Sequence, residues 1–114
     1  MALPHPLSDP LVEAIALRFR AIGEPVRVRL LDRLRAGEAT VQELADEVGT
    51  SQQNVSKHLR VLLQAAIVGR RKEGPFVYYR ITDSAVLELC AVVCSMVERQ
   101  LAELGEALGT GAAL

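Results

Sequence analysis

The 114-residue chain is 50% hydrophobic and 24% charged, with a net charge of −1 and two cysteines. This composition excludes a disordered chain and a disulfide-stapled secreted scaffold, and the length suits one small domain. No apolar run approaches the roughly 20 residues of a membrane span, and the first residues lack the pattern of a secretory signal. We therefore expect a cytoplasmic protein without membrane contact.

The charge is unevenly distributed along the chain. The segment from Ser51 to Arg80 holds six lysines and arginines against one glutamate, a net charge of +5, so the remainder carries −6. A basic segment on an otherwise acidic chain is typical of a surface that binds a polyanion, although an ordinary solvated basic face gives the same count.

The first elements predicted along the chain are an arm and two helices. Residues 1–8 show no periodicity, and we expect them to form a mobile N-terminal arm. Ser8 or Asp9 can cap an amphipathic helix that ends near Ile22. Pro25 then opens a second helix, because proline is well suited to a first helical turn.

The next two helices form a helix-turn-helix. The run "TVQE" from Thr40 is a capping box that starts a short third helix, and Ser51 caps a fourth after the turn "VGTS". In the fourth helix Val55, Leu59 and Leu62 recur at helical spacing, so one side belongs to a core. The opposite side carries hydrogen-bond donors: Gln52, Gln53, Ser56, Lys57 and Arg60.

The pattern changes to β structure after the fourth helix. Two β-prone runs, "IVGRRK" and "FVYYRI", flank a three-residue link "EGP", which predicts a β-hairpin, or wing. A last helix is expected from Asp83 or Ser84 to about Leu104, followed by a flexible tail over residues 105–114. The predicted fold is mainly α with a β-hairpin wing, a winged helix-turn-helix domain over residues 9–104.

Three consecutive segments resemble the ArsR/SmtB family of small winged helix-turn-helix repressors. They are "IGEPVRVRLLDRL", "ELADEVGTSQQNVSKHLRVLLQAAIV" and "GRRKEGPFVYYRI", and the resemblance runs from about Phe19 to Asp83. It implies a homodimer that pairs through its first and last helices, binds an imperfect palindromic operator in double-stranded DNA and represses transcription. In this family a metal ion or another chemical signal typically releases the DNA.

The residue chemistry of the fourth helix and the wing agrees with DNA binding. Glutamine and asparagine can read adenine, arginine and lysine can read guanine or hold phosphate, and a helix N-terminus attracts phosphate. We interpret His58 as a helix residue that packs on or bonds to its surroundings. Pro75 stands at the wing tip, where the family often has arginine. The predicted DNA-binding residues are Ser51, Gln52, Gln53, Asn54, Ser56, Lys57 and Arg60 of the fourth helix, the last on the backbone, with Arg71 and Lys72 of the wing.

The two metal sites known in the family are not matched. Its third-helix Cys-x-Cys pattern corresponds to Thr40 and Gln42. Of its last-helix ligands only Asp83 remains, because the two histidines and the glutamate are replaced by Ala85, Met96 and Arg99. We therefore expect neither of these sites.

Cys90 and Cys94 are the remaining candidates for a metal site. Both fall on the apolar side of the predicted last helix, where they can be inert buried thiols in a dimer seam. Alternatively, four thiols from two chains can meet near the two-fold axis and bind a thiophilic metal ion, or oxidise across the interface. No cofactor is certain from the sequence.

Other classes of function have weaker support. The sequence contains no Gly-rich phosphate loop, no His-Glu-x-x-His and no nucleophile–base pair, so an enzyme is not expected. The alternatives are a winged-helix dimer that responds to redox or acts constitutively, and a protein-interaction module that has lost DNA binding. The basic segment argues against the last of these.

Overall fold

The structure, a computed structural model, describes residues 2–109. Two compact units are present, one ending at Asp83 and the other beginning at Ser84. The predicted domain over residues 9–104 thus spans parts of both. The elements in chain order are α1 (Asp9–Ile22), α2 (Pro25–Leu34), β1 (Ala39–Thr40), α3 (Val41–Val48), α4 (Gln52–Gln64), β2 (Val68–Glu73), β3 (Phe76–Ile81) and α5 (Ala85–Ala107).

The helix starts that we predicted from capping residues are confirmed. The Ser8 hydroxyl accepts from the amide of Leu11 at 3.4 Å at the start of α1. At α3 the two halves of a capping box are both present, since Thr40 Oγ1 accepts from the Glu43 amide at 3.2 Å and Glu43 accepts from the Thr40 amide at 3.0 Å. Such reciprocal bonds satisfy amides that have no partner within the helix.

The core of the first unit is aliphatic and is formed mainly by three helices. Leucines and a valine spaced at helical intervals point inward from α2, α3 and α4, which is the arrangement that amphipathic periodicity predicts. The largest fully buried side chains are Leu30, Leu31, Leu44, Val55, Leu59 and Leu62.

The turn between α3 and α4 depends on a left-handed glycine. Gly49 adopts φ +81°, and its amide donates to the carbonyl of Ala45 at 2.9 Å. Glycine is favoured here because a side chain would strain this backbone conformation. The turn lets α4 leave α3 at a new angle, with one side against the core.

The end of α4 reaches a similar conformation without glycine. Ala66 has φ +59°, the one non-glycine residue in the described range with a positive φ. The amide of Ile67 donates to the carbonyl of Leu62 at 3.0 Å and closes the helix end. The left-handed backbone conformation is less favourable for alanine than for glycine, because the Cβ of alanine comes too close to the following carbonyl oxygen.

The sheet has the strand order β1-β3-β2, with both pairs antiparallel. Residues Val68 to Glu73 pair with Ile81 to Phe76, which confirms the wing. The predicted three-residue link was wrong by one residue, because Glu73 pairs with Phe76 and only Gly74 and Pro75 connect the strands. Strand β1 was not predicted, since two residues carry no periodicity of their own.

The helix α5 is longer than predicted. It runs through Gly105 to Ala107, so the predicted end at Leu104 and the start of the tail at residue 105 were wrong. A single glycine is tolerated inside a helix at a cost of about 1 kcal/mol. Residues 110–114 lie outside the described residues, and the mobility of the arm over residues 1–8 stays a prediction.

Candidate nucleic-acid interface

One side of α4 is buried and the other faces solvent. Val55, Leu59 and Leu62 are fully buried, and this anchors the helix in the core. Ser51 caps its first turn by accepting from the Asn54 amide at 3.1 Å. The side chains that remain at the surface include the exposed Gln52, Gln53, Lys57, Arg60 and Gln64 and the half-buried Ser56.

Asn54 differs from the other predicted DNA-binding residues of α4. Its side-chain amide donates to the hydroxyl of Thr50 at 3.0 Å, within the turn of the helix-turn-helix. The residue is half-buried. In this conformation Asn54 stabilises the turn. Its predicted contact with DNA would use only the side-chain hydrogen-bonding groups that do not bond to Thr50.

His58 is held by a polar network under α4. Its side chain is almost completely buried, and Nη1 of Arg27 lies 2.9 Å from its Nδ1. A guanidinium can only donate, so Nδ1 is the acceptor in this hydrogen bond. Oε2 of Glu24 lies 3.6 Å from the same nitrogen. This confirms the interpretation of His58 as a residue bonded to its surroundings.

Arg27 connects α2 and α4 with the end of α1. Its Nε donates to the carbonyl of Ala21 at 2.6 Å and its Nη2 to the carbonyl of Arg20 at 3.2 Å. These carbonyls belong to the last turn of α1, where helices leave acceptors without partners. Sequence reasoning missed this role, because the partners of Arg27 are set by the packing of the helices.

Glu24 completes the network from the start of α2. Its carboxylate accepts from the Arg27 amide at 3.0 Å and caps the helix. Desolvation raises the pKa of Glu24, but the hydrogen bond from that amide and the nearby positive charges outweigh it, and the net effect is a lowered pKa. The network of Glu24, Arg27 and His58 therefore fixes the position of α4 relative to α1 and α2.

The basic residues of the wing have different surroundings. Arg70 and Lys72 are exposed and form no ion pair within residues 2–109. Arg71 instead forms ion pairs with Glu38 and Glu73, and its Cζ lies 4.7 Å from the ring centre of Tyr78. The positive charge predicted for this segment is thus offset locally at Arg71.

The wing tip is apolar. Gly74 has φ +58° and is followed by Pro75, and the side chain of Phe76 is 55% exposed. The ring centres of Phe76 and Tyr78 are 6.4 Å apart, in a tilted arrangement. The ArsR/SmtB family, which the sequence resembles, often has an arginine at the wing tip. This chain has a proline and an exposed aromatic ring there instead.

The two thiols lie on α5, with Cys90 half-buried and Cys94 exposed. Sγ of Cys94 donates to Oε1 of Glu98 at 3.0 Å, and this hydrogen bond and the carboxylate charge raise the pKa of the Cys94 thiol. Within residues 2–109, no three or more His, Cys, Asp and Glu side chains of one chain are grouped so as to hold a metal ion. A metal at these thiols would need ligands from a second copy.

The residues that replace the family's third-helix ligands do not suit a metal. Thr40 uses its hydroxyl to cap α3, and Gln42 is an exposed amide. Neutral hydroxyl and amide groups are poor ligands for the soft ions that thiolates select. The expected absence of a thiolate site on α3 follows from these side chains.

Over the same described residues, no helix has both the length and the hydropathy to cross a membrane.

The chain matches known proteins over most of its length. A family model described as a helix-turn-helix domain matches residues 22–70. The transcriptional repressor SdpR of Bacillus subtilis is 32% identical over 68 residues, which are 60% of this chain and 76% of SdpR. The uncharacterised HTH-type transcriptional regulator Rv0081 of Mycobacterium tuberculosis is 33% identical over 97 residues, covering 84% of this chain and 85% of Rv0081.

Solved structures show the same architecture. The crystal structure of Rv0081 superimposes with a TM-score of 0.76 over 84% of this chain and 97% of that one. The homodimeric winged helix-turn-helix domain Mb0332 of Mycobacterium bovis, a possible ArsR-family regulator, has a TM-score of 0.75 and 29% identity over 88% and 95% of the two chains. The antimony-specific repressor AntR has a TM-score of 0.74 and 28% identity over 85% and 88%.

The sequence matches, the helix-turn-helix with its wing and these structural neighbours lead to one assignment: the chain belongs to the ArsR/SmtB family of winged helix-turn-helix transcriptional regulators.

Proposed function

We propose that the chain is a homodimeric repressor that binds double-stranded DNA with two copies of α4 and the wing. The observation that carries the proposal is the solvent-facing donor side of α4, held in place by a fully buried apolar side. Side chains of this kind at the N-terminal part of a recognition helix can reach base edges and phosphates in a major groove.

The dimer is supported by an exposed stripe on α5. Val97, Leu101 and Leu104 of α5 and Leu108, which follows directly after the helix, are each between 46% and 65% exposed, and they recur at spacings of four and three residues. This is the spacing at which helices pack against one another. On α1, Leu17 and Phe19 are exposed as well, and we propose that both helices are buried between two copies.

The two-fold symmetry of such a dimer sets the form of the operator. Two recognition helices in successive major grooves lie about 34 Å apart, one turn of DNA, so each half-site is read by one copy. We infer an imperfect palindrome as the binding site. As a regulator of transcription the protein would act on cytoplasmic DNA, and we propose no catalytic activity for it.

The DNA contacts divide by position on α4 and the wing. The exposed glutamine side chains and the serine hydroxyl beside them can contact base edges. The lysine and arginine side chains can contact bases or phosphates. Asn54 and Arg71 already bond within the protein, and their DNA contacts stay predictions. The proposed contacts are Gln52, Gln53, Ser56 and Lys57 in the major groove, and Ser51, Arg60 and Lys72 on the backbone.

The test is a titration of fluorescent promoter DNA with Gln53→Ala/Lys57→Ala. We expect loss of specific binding with an intact dimer, because both side chains lie on the exposed side of α4. Gln42→Ala/Arg35→Ala is the matched control, since it removes one exposed glutamine and one positive charge outside α4 and the wing. Dissociation of the first variant into monomers, or equal loss in the control, would refute the assignment.

The release signal is proposed to act at Cys90 and Cys94. The two thiols continue the apolar stripe of α5 with the same four- and three-residue spacing, so pairing of two helices would bring four thiols together. Thiolates select soft ions, and the likeness to a repressor named for antimony supports this class of signal. Oxidation across the interface and constitutive repression are the alternatives.

The signal is tested by repeating the DNA titration with Zn(II), Cd(II), Cu(I), As(III) and peroxide. Release of the reduced wild type, but not of Cys90→Ser/Cys94→Ser, by one agent would identify the signal. Ser95→Ala is the control, because it changes a neighbouring exposed side chain of α5 and leaves both thiols. Equal behaviour of wild type and the double variant with every agent would show that the thiols do not sense these signals.

A further inference from the structure

The side chain of Arg71 crosses the sheet of the wing. Tyr78 of β3 pairs with Arg71 of β2 on one side and with Thr40 of β1 on the other. The guanidinium lies over the Tyr78 ring and reaches Glu38, directly before β1. We name this arrangement of Arg71, Tyr78 and Glu38 the Arg71 bridge.

All three nitrogens of the Arg71 guanidinium have acceptors. Nε donates to Oε2 of Glu38 at 3.0 Å, and Nη2 donates to Oε1 of the same carboxylate. Nη1 donates to Oε2 of Glu73 at 2.6 Å. A bidentate arginine–carboxylate pair combines charge with fixed geometry, which makes it stronger than an ordinary surface ion pair.

The ionisation of these groups agrees with the geometry. Side-chain hydrogen bonds to Glu38 and Glu73 raise the pKa of Arg71, and the hydrogen bond from Arg71 lowers the pKa of Glu38. Each partner thus favours the charged form of the other. Arg80 lies on the same face and its charge also lowers the pKa of Glu38, so the two arginines and the two carboxylates balance and the charge of Arg71 is neutralised within the protein.

Arg70 and Lys72 point to the opposite face of β2, because side chains alternate along a strand. Neither has an ion-pair partner in the part of the chain that the structure describes. A phosphate at Arg71 would have to displace a bidentate carboxylate and approach two negative charges. A phosphate at Lys72 would meet neither obstacle.

We propose that Arg71 is a positioning residue: it fixes the wing hairpin to the segment before β1, so that Lys72 meets the DNA backbone. It does not itself neutralise a phosphate. This inference rests on the proposed DNA binding, and it is the alternative to the direct DNA contact that the sequence predicts for Arg71.

Arg71 can either position the wing or hold a phosphate, and Glu38→Gln changes the DNA affinity in opposite directions in the two cases. If Arg71 positions the wing, Glu38→Gln and Arg71→Ala each weaken DNA binding, by about threefold to tenfold, and the double variant is no weaker than the single ones, as expected for coupled residues. If Arg71 holds a phosphate, Glu38→Gln strengthens binding, because a competing carboxylate is lost. Tighter binding by Glu38→Gln, or additive losses, would overturn the proposal.

The salt dependence and a charge exchange supply independent readouts. Lys72→Ala should lower the slope of log affinity against log salt by about one. Glu38→Gln should lower the slope in the same direction by less, because a loosened wing holds Lys72 on the backbone less firmly. The exchanged pair Arg71→Glu/Glu38→Arg should recover at least half of the affinity lost in Arg71→Glu. A steeper slope in Glu38→Gln, or no recovery in the exchanged pair, would contradict the bridge.

Hydrogen exchange tests the bridge without DNA. We expect the amides of β2 and β3 to exchange faster in Arg71→Ala than in wild type and Arg70→Ala, while the amides of α4 are unchanged. Equal protection of the hairpin in all three proteins would refute the bridge. If wild type bound no DNA, the proposed function would fail, and this measurement would still decide whether Arg71 holds the wing.

Discussion

The first unit and α5 bury their apolar side chains in different ways. In the first unit, leucines of α2, α3 and α4 such as Leu44 and Leu59 are fully buried within one chain. On α5, Val97, Leu101 and Leu104 are about half exposed. The helices α2, α3 and α4 therefore bury their leucines within one chain, whereas the apolar stripe of α5 is completed by a second copy in the proposed dimer.

A matched pair of leucine truncations tests this difference most strongly. Leu59→Ala should lower the free energy of unfolding by about 2–5 kcal/mol, because it leaves a cavity in the core. Leu101→Ala should instead weaken dimerisation by about 2–3 kcal/mol per dimer, because two copies each lose an interface side chain. Urea unfolding and sedimentation equilibrium separate the two effects. Equal unfolding losses with unchanged association would contradict the comparison.

The polar network beneath α4 should give the next largest effect. Arg27→Ala should lower the stability by about 2 kcal/mol, because His58 Nδ1 and the carbonyl of Ala21 lose their donor. The exposed Arg29→Ala is the control, with an expected change within about 0.5 kcal/mol. Urea unfolding measures both. Similar values for the two variants would show that the network contributes little to the folded state.

Acidification should lower the free energy of unfolding of the first unit. The pKa values of Glu24, Glu38 and Glu43 are lowered from 4.5 in the folded chain. A lowered pKa in the folded state gives stability that is present above 4.5 and is lost as the pH falls through the folded values. Urea midpoints between pH 7 and pH 3 should show this loss, and it should be smaller in Glu43→Gln. An identical pH dependence in the variant would exclude a contribution from the α3 cap.

The smallest expected effect concerns two left-handed helix ends. Ala66→Gly should raise the stability by about 0.5–1 kcal/mol, because glycine adopts a positive φ without strain. Gly49→Ala should lower it by about 1 kcal/mol for the same reason. Thermal melting of both variants tests the pair. A loss of stability in Ala66→Gly would show that packing of the Ala66 methyl group contributes more free energy than the backbone strain removes.

Local patterns predicted much of the fold. The capping residues Ser8, Thr40 and Ser51 and the helical spacing of Val55 and Leu59 are signals contained within a few residues, and the structure confirms these helices. The alternation of the wing strands is equally local. These features follow from hydrogen bonding and burial along one element.

What the sequence did not reveal depends on distant partners. Strand β1 exists because Ala39 and Thr40 pair with β3, almost forty residues later. The contact of Arg71 with Glu38 joins residues that are 33 positions apart, and Arg27 and His58 are 31 apart. Without a known packing arrangement, an exposed arginine that binds phosphate cannot be told from one that binds a carboxylate.

The exposed stripe on α5 has a consequence for how gene output would follow the supply of repressor. If only the dimer occupies the operator, then well below the dissociation constant the dimer concentration varies with the square of the chain concentration. Halving the cellular amount of chain would leave about one quarter of the dimer, by mass action. A row of half-exposed leucines would thus make the promoter sensitive to repressor dosage, with no inducer required.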